Sequence, residues 1–264
     1  MTRALVIIGG GRMGEALLRG LAAHGRRPEE LQVVEVSGAR RDELARAFPG
    51  LEVLAELPAS GLPADAVLAV KPPDVAAAAA AAGSAGAGRL LSIAAGVGTA
   101  AIEAAAGAGV RVLRAMPNTP AQVGAGAAAV CAGRSARPGD LDWAESVLGS
   151  VGLVVRVEEG LIDAVTGLSG SGPAYVFLLA EVLMDAGRSV GLPTDISRDL
   201  TVQTLLGAAR LLSETGTAPE ELRAMVTSPN GTTAAGIAAL EAGGFREAVA
   251  AAVRAATERS RQLG

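Results

Sequence analysis

Cysteine and histidine are each present only once among the 264 residues. The lone Cys131 permits no disulfide within the chain, and with the lone His24 it cannot supply a thiol or imidazole cluster, so we predict no metal site. The same scarcity excludes a Ser-His-Asp triad and a Cys-His pair. We expect His24 at the surface, at the far end of the first helix, and Cys131 as a buried structural thiol within a run of small residues.

Aromatic residues and lysine are also scarce, at 2% of the chain and a single residue, Lys71. No basic run interleaves with aromatic residues and the formal net charge is −4, so nucleic acid is not an expected partner. The first apolar run is too short for a signal peptide or a membrane anchor. No later run reaches about 18 residues without Gly, Pro or charge, so we expect no membrane segment and a cytoplasmic protein.

A glycine-rich turn stands between a predicted strand, residues 4–8, and a predicted helix. Its glycines have the GxGxxG spacing: the first permits the tight turn, the second lets a pyrophosphate approach the backbone, and the third lets helix and strand pack closely. The N–H groups at the start of the helix favour phosphate. The predicted cofactor contacts in this turn are Gly9, Gly11, Arg12, Met13 and Gly14.

Apolar runs alternate with helical stretches up to residue 158, which predicts a parallel sheet covered by helices on both faces. The pattern is then helical, with a break predicted at 170–173. We therefore predict the α/β class, with a Rossmann-type dinucleotide-binding domain at 1–158 and an all-α dimerisation and substrate domain at 159–264. The helix that starts at Pro173 is apolar nearly all round and needs more cover than so small a domain supplies, which predicts an intertwined dimer.

The carboxyl ends of the predicted strands should share one edge of the sheet, where ligands bind in such folds. Lys71 stands at one of these ends, where it either assists the chemistry or simply caps the strand. The further cofactor contacts predicted at this edge are Ser37, Arg40, Arg41, Val70, Lys71, Pro72, Ala94, Ala95, Gly96 and Asn118.

The end of the second strand bears on the choice of nicotinamide cofactor. Glu35 is the residue type that binds a ribose 2′-hydroxyl in NAD-dependent domains, but we expect it inside the strand because Val36 and Ser37 follow it. Ser37, Arg40 and Arg41 at the strand tip suit a 2′-phosphate, whereas the alternative is that both arginines are solvated residues opening a helix. We predict NADPH, with NADH as the alternative.

A second informative stretch, residues 226–241, is a loop rich in hydroxyl groups and glycine that leads into a helix. Ser228 precedes a proline, which keeps it extended, and Asn230-Gly231 is typical of a turn. Thr232 and Thr233 then open the helix. Uncharged hydroxyls and free N–H groups together suit a carboxylate, and an ordinary N-cap would explain only one of them.

With these motifs in view, the sequence resembles the pyrroline-5-carboxylate reductases over essentially the whole chain. Besides the glycine turn, the resemblance is carried by residues 69–72, 92–96, 114–120, 168–175 and 228–241. It implies hydride transfer from NAD(P)H to the cyclic imine of pyrroline-5-carboxylate, which gives L-proline in the last step of proline biosynthesis. It also implies a homo-oligomer built from dimers.

The resemblance further implies residue roles in the late loop. Ser228, Gly231, Thr232 and Thr233 would bind the substrate, mainly through its carboxylate, and Thr233 would also reach the ring nitrogen. Thr233 and Lys71 are the candidate catalytic residues. An imine that is already protonated in solution needs orientation and one hydrogen bond rather than a tuned acid, which suits a chain with a single histidine.

Two other functions remain open. A β-hydroxyacid dehydrogenase combines a similar glycine turn with a helical domain, but it needs a lysine in that domain and none follows Lys71. A non-catalytic NADPH-binding sensor would keep residues 9–14 and would have no use for residues 228–233.

Overall fold

The structure is a computed structural model and describes residues 5–263; Ala4, where the first predicted strand begins, lies outside them. Its largest feature is an eight-stranded sheet in the order β3-β2-β1-β4-β5-β6-β7-β8. The strands are β1 (Leu5–Ile8), β2 (Leu31–Val34), β3 (Glu52–Leu54), β4 (Asp65–Leu68), β5 (Arg89–Ser92), β6 (Arg111–Met116), β7 (Gly126–Ala132) and β8 (Gly152–Arg156). The helices are α1 (Arg12–Ala23), α2 (Gly38–Ala47), α3 (Val75–Ser84), α4 (Thr99–Ala106), α5 (Asp140–Leu148), α6 (Ile162–Val165), α7 (Gly172–Ser189), α8 (Thr194–Thr215), α9 (Pro219–Met225), α10 (Thr232–Ala242) and α11 (Phe245–Leu263).

Strands β1 to β6 are parallel, and apolar side chains project from both faces of this sheet. Alternate residues of a strand point to opposite faces, so Ile7 joins one core cluster with Leu17 of α1, whereas Val6 joins the other with Val75 of α3 and Ile102 of α4. The Rossmann-type arrangement of the first part is therefore confirmed. Its carboxyl edge carries the glycine turn and the ends of β2, β4, β5 and β6.

The last two strands differ from the expected parallel sheet. Strand β7 is antiparallel to β6 and parallel to β8. The connection between β6 and β7 is short and contains only one 3₁₀ turn, Thr119–Val123, whereas a parallel connection needs a crossover of a dozen or more residues. Cys131 lies in β7 and is buried, as expected, and burial raises the pKa of its thiol to about 11.

The chain forms two compact units: the first consists of residues 5–171 and 255–263, and the second of residues 172–254. The last turns of α11 belong with the first unit, where the Ser260 hydroxyl donates to the Asp163 carboxylate at 2.7 Å. The predicted domain boundary after residue 158 stays a prediction. The predicted break at 170–173 is confirmed: the π-helical turn Thr166–Gly170 ends there, Ser171 is a bend outside both helices, and α7 begins at Gly172.

The unit of residues 172–254 has no hydrophobic core of its own. Among its described residues only Ser197 and Thr201 are buried, and no apolar side chain is. Phe177 of α7 is 61% exposed and Leu200 of α8 is 55% exposed. The helical stretch Glu159–Ser189 is long and apolar enough to span a membrane by length and composition, which for a single helix is weak evidence.

Candidate functional site

The glycine turn has the geometry of a phosphate-binding turn. A Cβ on Gly14 would lie 2.1 Å from the carbonyl oxygen of Gly9, so this glycine allows α1 to pack onto the end of β1. Gly9 has a φ of +106°, and a Cβ there would lie 2.5 Å from the Ala69 carbonyl oxygen. A Cβ on Gly11 would meet no heavy atom within 4 Å. The space above Gly11 is open to a pyrophosphate, so the residues present fit the predicted dinucleotide.

Met13 and Arg12 occupy the two positions between the second and third glycines of the motif. Met13 is half-buried and packs against the core cluster that contains Ile7, so its role is to seat the start of α1. Arg12 is exposed at the first position of the helix. Its contact with the cofactor stays a prediction.

Glu35 does not lie inside β2 as expected, because the strand ends at Val34. The backbone N–H of Glu35 donates to the Leu54 carbonyl at 2.9 Å, so the residue stands at the carboxyl end of the strand. Its carboxylate accepts from the N–H of Gly10 at 2.9 Å and from the N–H of Ser37 at 2.8 Å. The side chain thus joins the glycine turn to the loop that follows β2.

Arg40 and Arg41 are in different surroundings although both belong to α2. Arg40 donates to the Gly10 carbonyl at 2.7 Å and pairs with Glu15 and Glu43. Its hydrogen bond is the main cause that lowers the pKa of Glu15. Arg41 donates to two backbone carbonyls after β2, at 3.0 and 2.8 Å, and forms no ion pair within residues 5–263. The Arg41 guanidinium is therefore not neutralised by a carboxylate and can pair with an anionic ligand. Arg40, in contrast, stabilises the glycine turn.

The ends of β4 and β5 bring the next predicted contacts to the same edge of the sheet. Strand β4 ends at Leu68, and Ala69 donates to the Ile8 carbonyl at 2.8 Å before Val70 and Lys71 follow. Lys71 and Pro72 are exposed. After β5, Ala94 and Gly96 are buried and Ala95 is half-buried. At Gly96 the space is filled, since a Cβ there would lie 3.3 Å from Leu263, so cofactor contact by these three residues stays a prediction.

Asn118, also predicted to contact the cofactor, is bonded within the protein. Its amide nitrogen donates to the Ser169 carbonyl at 3.0 Å, and its side-chain oxygen accepts from the Ala127 N–H at 2.9 Å. The side chain therefore holds the π-helical turn beside the start of β7. Cofactor contact by Asn118 stays a prediction.

Glu159 is a half-buried anchor that the sequence did not reveal. Its carboxylate accepts from the N–H and the hydroxyl of Thr99, both at 2.6 Å, and lies 3.4 Å from the guanidinium of the buried Arg114. Burial pushes the pKa of Glu159 upward, but the hydrogen bonds from Thr99 and Arg114 outweigh it and leave the pKa lowered. The group is therefore held as a carboxylate at neutral pH.

The predicted substrate residues lie together in the unit of residues 172–254, at the start of α10. Gly231 donates to the Ser228 carbonyl at 3.0 Å, and Asn230 takes a φ of +58°, which closes the turn. A Cβ on Gly231 would lie 2.4 Å from the Ser228 hydroxyl, so this glycine leaves room for that side chain. Gly231 is also the N-cap, and because it has no side chain, the N–H groups of the first turn of α10 receive no side-chain cap.

The two threonines that open α10 differ in exposure. Thr232 is exposed and Thr233 is half-buried. The neighbouring Thr227 donates its hydroxyl to the Arg223 carbonyl at 2.6 Å, so its polar group is already used inside the loop. Ser228, Thr232 and Thr233 thus surround an uncharged helix N-terminus that suits a carboxylate.

Comparisons with known proteins match both units. A family model for pyrroline-5-carboxylate reductase dimerisation matches residues 159–263, and one described as NADP oxidoreductase, coenzyme F420-dependent, matches residues 4–96. The chain is 46% identical to the pyrroline-5-carboxylate reductase of Synechocystis over 100% of this chain and 99% of that protein. It is similar to the solved structure of a pyrroline-5-carboxylate reductase from Coxiella burnetii, with a TM-score of 0.92, 37% identity and coverage of 100% and 99%. The Plasmodium falciparum pyrroline carboxylate reductase, solved with NADP bound, gives a TM-score of 0.86, 29% identity and coverage of 99% and 98%.

Proposed function

The chain belongs to the pyrroline-5-carboxylate reductase family, and we infer that it is an oxidoreductase that reduces the C=N bond of pyrroline-5-carboxylate to give L-proline. The observation that carries this inference is the full length of the similarity, since it covers both the glycine-turn unit and the unit with the hydroxyl-rich loop. A bound reduced nicotinamide supplies the hydride.

The residues of this chain have to bind, orient and hydrogen-bond the substrate. We propose that the N–H groups of the first turn of α10, beginning with Thr232, and the Ser228 hydroxyl hold the substrate carboxylate, while the Thr233 hydroxyl meets the ring nitrogen. Gly231 contributes by closing the turn, because its own N–H donates to the Ser228 carbonyl. The half-buried position of Thr233 and the glycine N-cap support these roles. The substrate enters already protonated from water, so the site has to position the ring rather than supply an acid.

A direct assay tests this function. Oxidation of NADPH with pyrroline-5-carboxylate should exceed oxidation without substrate, and proline should be identified as the product. Turnover of a β-hydroxyacid in place of the imine, or tight NADPH binding without any turnover, would support the dehydrogenase or the sensor instead. We also propose a cytoplasmic location.

The cofactor is a nicotinamide dinucleotide, and we propose that NADPH is preferred, with Arg41 meeting the 2′-phosphate. Replacing Arg41 by alanine should lower kcat/KM with NADPH about 10-fold, because one charge-assisted hydrogen bond is lost, and should leave NADH nearly unchanged. Arg46→Ala is the matched control, since Arg46 belongs to the same helix and donates only to the Asp42 carbonyl. An unchanged NADPH/NADH ratio in Arg41→Ala would exclude Arg41 from phosphate recognition.

The protein is a homo-oligomer, and we propose that its unit is an intertwined dimer in which a second copy covers α7 and α8. Light scattering should give at least twice the chain mass of 26.1 kDa. Phe177→Glu should lower this mass, because a charge would be buried in the apolar contact. Val36→Glu changes an apolar residue outside this face that is even more exposed, 86% against 61%, and should keep the wild-type mass. A wild-type protein with the mass of one chain would contradict the proposal.

A further inference from the structure

Glu159 caps the start of α4 although it lies 60 residues from Thr99, the first residue of that helix. The N-cap of α4 is Gly98, which has no side chain to accept from the helix N–H groups, and the first turn of α4 contains no acidic residue. One oxygen of the Glu159 carboxylate accepts from the N–H of Thr99 and the other from its hydroxyl. A carboxylate is favourable at a helix N-terminus, so Glu159 fixes the point at which α4 begins.

The start of α4 is also the end of the loop of residues 93–98, at the carboxyl edge of the sheet. At the other end of this loop, the N–H of Ile93 donates to the Leu68 carbonyl at 3.1 Å. Between these two anchors, the N–H groups of residues 95–97 donate to no group within the described part of the chain. The loop is therefore fixed through its ends rather than by hydrogen bonds from its middle.

The end of α11 supports the middle of the same loop. A Cβ on Gly96 would lie 3.3 Å from the Cβ and the carbonyl oxygen of Leu263. This end of α11 is held in turn by the hydrogen bond from Ser260 to Asp163, four residues after Glu159. All of these residues belong to the first unit. The segment that begins at Glu159 thus supports both the end and the middle of the loop.

Arg114 of β6 keeps the Glu159 carboxylate in this position. The Arg114 side chain is only 8% exposed, and its guanidinium lies 3.4 Å from the carboxylate. Its Nε is buried and has no hydrogen-bond partner among the described residues. Since a buried guanidinium needs a counter-charge, rotation of Glu159 into solvent would be costly. The cap on α4 is therefore in place before a ligand binds.

We propose that Glu159 is a positioning residue of the reductase: through Thr99 it holds the loop of residues 93–98 where the loop contacts the nicotinamide half of the cofactor. The proposal rests on the nicotinamide-dependent function inferred above. The strand order reverses between β1 and β4, and a dinucleotide binds across this point in such sheets. The glycine turn and the end of β2 lie on the adenosine side, so the loop after β5 lies on the nicotinamide side.

Kinetics with the whole cofactor and binding of a cofactor fragment together test the proposal. In Glu159→Ala, kcat/KM for NADPH should fall about 30-fold, because a displaced loop no longer orients the nicotinamide for hydride transfer. The 2′-phosphate derivative of ADP-ribose lacks nicotinamide, so its affinity in calorimetric titration should stay within about twofold. An equal loss with NADPH and with the fragment would overturn the proposal, since Glu159 would then only stabilise the unit.

Glu159→Gln should restore most of the activity. Its amide oxygen can accept from the Thr99 N–H and its amino group can donate to the Thr99 hydroxyl oxygen, so the contact is kept and only the charge is lost. We expect kcat/KM for NADPH within about threefold of the wild type. The free energy of unfolding should nevertheless fall, because the buried Arg114 loses its counter-charge. Activity that falls in parallel with stability in both variants would contradict a positioning role.

Glu103→Ala is the matched control. Glu103 also belongs to α4 and is half-buried, and its carboxylate accepts from the N–H of Ser135 at 2.8 Å rather than from the loop. This variant should lose stability but keep kcat/KM for NADPH within about twofold. A loss of activity as large as that of Glu159→Ala would count against the proposal.

Thr99→Val tests the same contact if the Glu159 variants do not fold, because it leaves the pair of Glu159 and Arg114 intact. One of the two hydrogen bonds is lost, so kcat/KM for NADPH should fall about fivefold, whereas Thr99→Ser should stay within about twofold of the wild type. Wild-type kcat/KM in Thr99→Val would overturn the proposal. A wild type that does not turn over pyrroline-5-carboxylate would instead contradict the proposed function, and this proposal with it, so the two failures are distinguishable.

Discussion

Thr233→Val should lower kcat/KM for pyrroline-5-carboxylate about 100-fold, since removing one preorganised hydrogen-bond donor at a reacting atom has an effect of this order. The substitution keeps the shape of the side chain and removes only the hydroxyl. Thr233 opens α10 and is half-buried, so the helix fixes its position before the substrate binds. Steady-state kinetics at saturating cofactor measures the effect, and cofactor affinity should not change.

Two further variants separate the chemistry of Thr233 from the stability of its loop. Thr233→Ser keeps the hydroxyl and should retain activity to within a few-fold. Thr227→Val removes a hydroxyl that already donates to the Arg223 carbonyl, so it should affect stability more than turnover. Wild-type turnover in Thr233→Val would assign the hydrogen bond to the imine to another group.

Gly14→Ala should lower the free energy of unfolding by about 3 kcal/mol, because overpacking against backbone is not relieved by side-chain movement. The added Cβ would lie 2.1 Å from the Gly9 carbonyl oxygen, which is itself fixed in a turn of positive φ. Relief requires α1 to move away from β1, and the phosphate-binding turn then opens. Denaturant unfolding and calorimetric titration with cofactor should both report the loss.

Gly11→Ala should, unlike Gly14→Ala, weaken cofactor binding without lowering stability. Gly11 has a φ of −65° and its Cβ would meet no protein atom within 4 Å, so stability should be unchanged or slightly higher. Cofactor affinity should nevertheless fall about 100-fold, because a methyl group would occupy the approach of the pyrophosphate to the backbone. Wild-type cofactor affinity in Gly11→Ala would move the predicted phosphate position away from this glycine.

The alternation of apolar runs with helical stretches predicted the parallel sheet of the first part, although its first six strands are only three to six residues long, because turn residues or helices bound each run. The end of β2 was harder, since one residue decides whether Glu35 lies inside the strand or at its tip, and helix and strand ends are the least determined features of a sequence. The sequence therefore predicted that the cofactor residues lie at the carboxyl edge of the sheet. It did not predict the hydrogen bond between Glu35 and Gly10.

Helix α5 shows a second limit of the sequence. Its first residue, Asp140, is buried because it pairs with Arg89 at 3.0 Å and with Arg111 at 2.7 Å, on two neighbouring strands. The stacking of Arg89 on the Trp143 ring, 4.0 Å from the centroid, holds the same helix. Arg89 and Arg111 are 51 and 29 residues away from Asp140 in the chain, so no local sequence pattern predicts these ion pairs.

The absence of a core in residues 172–254 has a thermodynamic consequence. Helices that bury no apolar side chain within one chain gain their hydrophobic stabilisation from association, so folding of this unit and assembly are one equilibrium. Its unfolding midpoint should then rise with protein concentration, whereas the sheet unit, with a complete core on both faces, should unfold independently of dilution. A newly made chain would thus complete its substrate loop only after it meets a second one.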